Sequence, residues 1–114
     1  MPGKLSTHVL DLTTGKPAGG MTIELWRHGA KPKRLKIVTT NADGRTDAPL
    51  LAGTALAVGT YELTFWVADY FTAHGVACTF LDRVPIRFAI TDVTVGYHVP
   101  LLVTPWAYNT YRGS

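Results

Sequence analysis

Apolar and polar residues alternate with a period of two along most of the chain, and only one short stretch adopts a helical rhythm. Over residues 5–11, Leu5, Thr7 and Val9 fall on one side of a strand, with Ser6, His8 and Leu10 on the other. Gly15, Pro17, Gly19 and Gly20 then break the pattern, as turn residues do. Residues 22–27 read as a second strand with Ile23 and Leu25 inward. A Gly/Pro connection over 28–32 leads to a returning strand over 35–40, rich in β-branched residues. The run Asn41-Ala42-Asp43-Gly44-Arg45 is a tight turn that projects Arg45 just beyond the bend. Small residues make 49–59 a loop. Residues 60–67 follow as a strand with Tyr61, Leu63, Phe65 and Val67 on one face. The spacing predicts one short helix over 69–75, capped by Asp69 and closed by Gly75. Val84, Ile86, Phe88 and Ile90 make the clearest core face. The last strands span 94–103, with Val95, Tyr97, Val99, Leu101 and Val103 toward the core, and 106–112, joined at Thr104-Pro105.

Seven or eight short strands with one small helix predict an all-β fold, a two-sheet antiparallel sandwich. At 114 residues the chain makes one domain, 1–114, long enough to bury an ordinary core. Periodicity alone leaves an immunoglobulin-like sandwich equally open.

Composition narrows the class a little further. A single cysteine, Cys78, excludes an intramolecular disulfide and suits a reducing compartment. No leader pattern and no apolar run of about 20 residues is present, so the expectation is a cytoplasmic protein with no membrane partner. The net charge of +3 owes much to Lys31, Lys33, Arg34 and Lys36. That segment lacks interleaved aromatics, so it reads as a solvated hairpin face, with no nucleic-acid partner expected.

The alternation also sorts candidate chemistry. His98 points away from the core side of its strand, beside Gly96, Pro100 and Leu102, and His8 does the same beside Leu10. Asn109, Tyr111 and Gly113 share one side of the last strand. Were these strands neighbours, His8, His98 and Tyr111 would meet on an outward face whose apolar surroundings favour cover by another subunit. Taken singly, His28 and His74 read as structural, and Arg45 as a solvated charge. The histidines lack carboxylate or thiolate partners at ligand spacing, so no metal is expected. There is no phosphate-cradling glycine loop. Ser6 precedes His8 without a readable nucleophile arrangement, and Cys78 lacks an activating context.

One motif carries more. Tyr97-His98-Val99-Pro100-Leu101-Leu102, then Pro105-Trp106, then Tyr111-Arg112-Gly113-Ser114, closely resembles the 5-hydroxyisourate hydrolases, the enzymatic relatives of transthyretin. Thr7-His8-Val9-Leu10-Asp11, the turn 40–45 and an Asp-Tyr-Phe helix between two strands extend the resemblance over nearly the whole chain. It implies a transthyretin-like sandwich and a homotetramer, a dimer of dimers with active sites in the channel between the dimers. It further implies cofactor-free hydrolysis of 5-hydroxyisourate to 2-oxo-4-hydroxy-4-carboxy-5-ureidoimidazoline in urate degradation. His8, Arg45, His98 and Ser114 would be catalytic, and His8, Arg45, Tyr111 and Arg112 would bind substrate. Two positions depart from the family pattern: Gly96 where a histidine is frequent, and Asn109 where serine is common. The alternatives are a non-enzymatic small-ligand carrier of the transthyretin type and an interaction module using the basic hairpin.

Overall fold

The computed structural model describes residues 3–113, and these form two facing β-sheets. The strands are β1 (Lys4–Ser6), β2 (Val9–Asp11), β3 (Lys16–Pro17), β4 (Thr22–His28), β5 (Lys33–Thr39), β6 (Leu51–Ala52), β7 (Gly59–Trp66), β8 (Arg83–Ile90), β9 (Tyr97–His98), β10 (Leu101–Val103) and β11 (Tyr108–Asn109). The helix α1 (Val67–Ala73) follows β7. One sheet runs β5-β4-β7-β8 and is antiparallel throughout.

The other sheet is built of two ladders end to end, β6-β1-β9 and β11-β10-β2-β3. Two pairings in this sandwich are parallel: β1 runs with β9, and β2 runs with β10. The same offset holds across both ladders, pairing Ser6 with His98 and Val9 with Leu101. The backbone links Val99 N to Ser6 O at 2.9 Å and Leu101 N to His8 O at 3.0 Å. The expected strand over residues 5–11 is therefore continuous in register, although Pro100, which has no N–H to give, interrupts the ladder beside it.

Leu5, Val9, Ile23, Leu25, Leu63, Phe65, Leu101 and Val103 are fully buried between the sheets. Thr7 sits in the same inward row because its hydroxyl donates to Val99 O at 2.7 Å. Asp11 is buried too. Its carboxylate accepts from Thr13 N, Thr13 Oγ1 and, at 2.9 Å, the Tyr70 hydroxyl, which ties β2 to α1. Burial and this bond to Asp11 push the Tyr70 hydroxyl up to about 12.

Several expected elements differ in the structure. The loop over 49–59 holds β6, which pairs with β1, and a 3₁₀ turn over Gly53–Ala55. The helix begins at Val67, because Val67, Tyr70 and Phe71 lie at one-turn spacing and all three are buried. Asp69 therefore falls in the first turn and makes no capping bond, whereas Gly75 does close the end in a left-handed conformation (φ 72°). Residues 94–96 lie outside the strand: the Asp92 carboxylate accepts from Thr94 N and Thr94 Oγ1 and forms a local turn instead. Val95 is exposed there, not a core residue. Trp106 likewise belongs to a turn held by Thr104 Oγ1, so the last regular strand is only β11. Phe88 is half-buried, stacked on Tyr61. Among the described residues no helix is long and apolar enough to cross a membrane.

Candidate active site

The registers of β1/β2, β9/β10 and the terminal segment place their outward side chains in rows. Cross-strand partners share a face, so Ser6 stands beside His98 and His98 beside Gly113. The antiparallel register that pairs Leu102 with Asn109 runs on to the His98–Gly113 bridge, which sets Tyr111 opposite Pro100 in the next row, where His8 also lies. Leu10, Leu102 and Asn109 make the third row.

Arg45 reaches this face from the opposite edge of β2. The Asn41 side chain accepts from Asp43 N and Arg45 N, closing the turn, and Gly44 takes φ 72°. Val9 N donates to Gly44 O at 2.8 Å, and a side chain on Gly44 would collide with Val9 O. Only glycine lets the turn press this closely on β2. The next residue, Arg45, thereby leaves the turn with its side chain in solvent, bordering the same hollow as Ser6 and near enough to His98 for its charge to act there.

The His98 imidazole is held on both flanks. Its Nδ1 is 2.9 Å from Ser6 Oγ, and its Cδ2 edge lies against Gly113, whose N–H donates to His98 O at 2.7 Å. With Nδ1 and Cδ2 thus engaged, ring geometry leaves Nε2 and Cε1 at the open tip. Burial holds the His98 pKa below the usual 6.5, and the positive charges of Arg45 and His8 lower it further. His98 is consequently a neutral imidazole near pH 7, able to accept a proton.

A family model described as "HIUase/Transthyretin family" matches residues 5–113. The chain belongs to this family. It is 51% identical to a 5-hydroxyisourate hydrolase of Halalkalibacterium halodurans, with both chains covered in full. The 5-hydroxyisourate hydrolase of Klebsiella pneumoniae superposes with a TM-score of 0.85 at 39% identity, covering 98% of this chain and 99% of that one. Sea bream transthyretin in complex with thyroxine superposes at 0.89 with 23% identity, over 96% and 94% of the two chains, a likeness of fold. The sandwich is transthyretin-like, as the terminal motif implies.

On this HIUase/Transthyretin scaffold the other expected site residues fall in different places. Tyr111 is exposed on the outward face, in the row of His8. Arg112 turns the other way: its guanidinium lies over the Tyr97 ring, 4.8 Å from the centroid, and donates to Gly96 O. It braces the terminal segment on the inward side. Ser114 lies outside the described residues. His74 is held by Tyr70 O at the end of α1, and His28 lies at the end of β4, away from this face. Among the described residues no three His, Cys, Asp or Glu side chains cluster to hold a metal ion. Sequence reasoning missed Ser6 and the seating of Gly113 on His98. The available signal for Ser6 was its place two residues before His8 on the same side of the strand.

Proposed function

We propose that the protein hydrolyses 5-hydroxyisourate to 2-oxo-4-hydroxy-4-carboxy-5-ureidoimidazoline, a step of urate degradation. The observation that carries this reading is the meeting of His8, Arg45 and His98, from three distant parts of the chain, on one outward sheet face. A cation beside two imidazoles suits amide hydrolysis better than the carriage of an apolar ligand.

The substrate is planar, oxygen-rich and readily anionic. Water attacks a lactam carbonyl of the six-membered ring while His98 Nε2 takes its proton. Negative charge grows on the carbonyl oxygen, where the guanidinium of Arg45 offers several donors in a rigid fork. Collapse of the intermediate breaks the carbon–nitrogen bond, and the imidazolium returns the proton to the departing nitrogen. One water is thereby added across the bond, and a carboxylate and a ureido group result. His8 positions the water, while Tyr111 and Ser114 orient the substrate. Arg112, turned inward, serves by fixing the terminal segment. The chemistry calls for no cofactor.

A homotetramer, a dimer of dimers, completes the cleft in this reading. The outer edge of β8 has no partner strand among the described residues, and such edges ordinarily recruit one. Phe80 and Trp106 stack at 6.3 Å while both stay largely exposed, which favours cover by a second copy. The free thiol of Cys78 suits a reducing compartment, so we place the activity in the cytoplasm.

The test is to generate 5-hydroxyisourate in situ and follow its loss with and without the protein. Faster loss, with a product one water heavier, supports the assignment; decay at the spontaneous rate refutes it.

A further inference from the structure

Ser6 is absent from the mechanism above, yet it makes the only side-chain hydrogen bond to His98 among the described residues, at 2.9 Å. Its placement is fixed by the backbone: Ser6 and His98 are direct partners in the parallel β1–β9 ladder, and Val99 N donates to Ser6 O. On the far side of Ser6 opens a hollow of about 170 Å³, lined by Ser6, Thr7, Arg45, Thr46 and Asp47 among others. The serine hydroxyl thus lies between the imidazole and the space that Arg45 borders.

A neutral imidazole carries its proton on one nitrogen, and the partner of the other nitrogen decides which. We propose that Ser6 is a positioning residue of this site: its oxygen accepts from the Nδ1–H of neutral His98 and keeps the lone pair on Nε2 at the open tip of the ring. The hydroxyl could serve either tautomer at Nδ1, and the hydrolytic step needs the lone pair on Nε2, the nitrogen left at the open tip between the Ser6 and Gly113 contacts. A hydroxyl also differs from the carboxylate that orients many catalytic histidines. It fixes the tautomer without adding charge, so the imidazole stays a weak base that gives its proton back readily. With its oxygen engaged as acceptor, the Ser6 hydroxyl hydrogen is free to turn into the hollow toward a water or a substrate oxygen.

The inference rests on the hydrolase reading for its kinetic consequence, but the tautomer is measurable without substrate. Long-range ¹H–¹⁵N NMR of the full chain is expected to show His98 protonated on Nδ1, and Ser6→Ala to abolish that preference. With 5-hydroxyisourate, Ser6→Ala should lower kcat about tenfold, the equivalent of one ordinary hydrogen bond, with KM little changed. Ser6→Thr, which keeps a hydroxyl at the same position, should recover most of the loss and the Nδ1–H signal. Circular dichroism establishes that each variant is folded. An Nε2–H tautomer in the parent protein, or a folded Ser6→Ala protein with parental kcat and an unchanged His98 spectrum, overturns the proposal. Parent protein inactive on 5-hydroxyisourate but showing the Nδ1–H form would instead refute the hydrolase reading and leave the Ser6–His98 pairing standing.

Discussion

Gly113 rests on the His98 imidazole so closely that a Cβ at that position would come within 2.6 Å of His98 Cδ2 and 3.0 Å of His98 Cβ. No rearrangement of a flexible chain end relieves this, because Gly113 N is bonded to His98 O. The terminal segment is one wall of the histidine's seat.

Gly113→Ala should therefore displace the ring or lift the segment. A displacement of about 1 Å at a catalytic group costs roughly 10²-fold in rate, so kcat should fall on that scale. Thermal unfolding should drop by the equivalent of no more than about 1–3 kcal/mol, as for overpacking. Parallel measurement of kcat and Tm separates the two effects.

Gly96 is the contrasting glycine. A Cβ there meets nothing nearer than Lys4 O at 3.8 Å, an ordinary contact, and its backbone is not left-handed. Gly96→Ala should stabilise the protein by roughly 0.4–1 kcal/mol through the unfolded chain. Denaturant unfolding checks this: the midpoint should rise with the slope unchanged.

Arg45 is exposed and carries no side-chain hydrogen bond among the described residues, so its removal leaves the fold unstrained. Arg45→Ala should lower turnover of 5-hydroxyisourate by about 10²–10³-fold, the loss of an oxyanion donor. Its Tm should stay within about a degree or two of the parent, since surface changes cost under about 0.5 kcal/mol.

The depressed pKa of His98 has a definite sign. Its folded value lies below the 6.5 of an ordinary histidine, so between the two the unfolded chain binds more protons than the folded one. The stability tied to this group is full above pH 6.5 and falls as the pH drops toward the lowered value. As a base, His98 stays competent below pH 6.5, so the acid limb of kcat/KM should lie beneath that value. Burial is the first cause and Arg45 the second, so Arg45→Ala should raise the His98 pKa only part of the way back. Histidine NMR titration of parent and variant reads both shifts.

Period-two alternation was enough to sort residues 5–11 and to put His8 and His98 on the outward face, because strand side chains have no third direction to take. The tight turn at 41–45 was equally plain, since Asn41 and Gly44 have few other uses in that spacing. What alternation could not show was pairing. Neither the parallel partnership of β1 with β9 nor the short β6 has a local signature, and the Ser6–His98 contact follows only from that pairing. Val95 misled for a different reason: the Asp92 carboxylate closes a local turn on Thr94 that ends the alternation before it reaches this residue. The seating of Arg112 over the Tyr97 ring has no signature in the sequence around it.

His98 bears the greatest weight in this account, and one comparison tests it most directly: the loss of 5-hydroxyisourate generated in situ, followed with equal amounts of parent protein and His98→Ala. Removal of the positioned base should lower the rate by about 10²–10⁴-fold, with the far-UV spectrum of the variant matching the parent. A His98→Ala protein that clears the substrate at the parental rate would contradict the account.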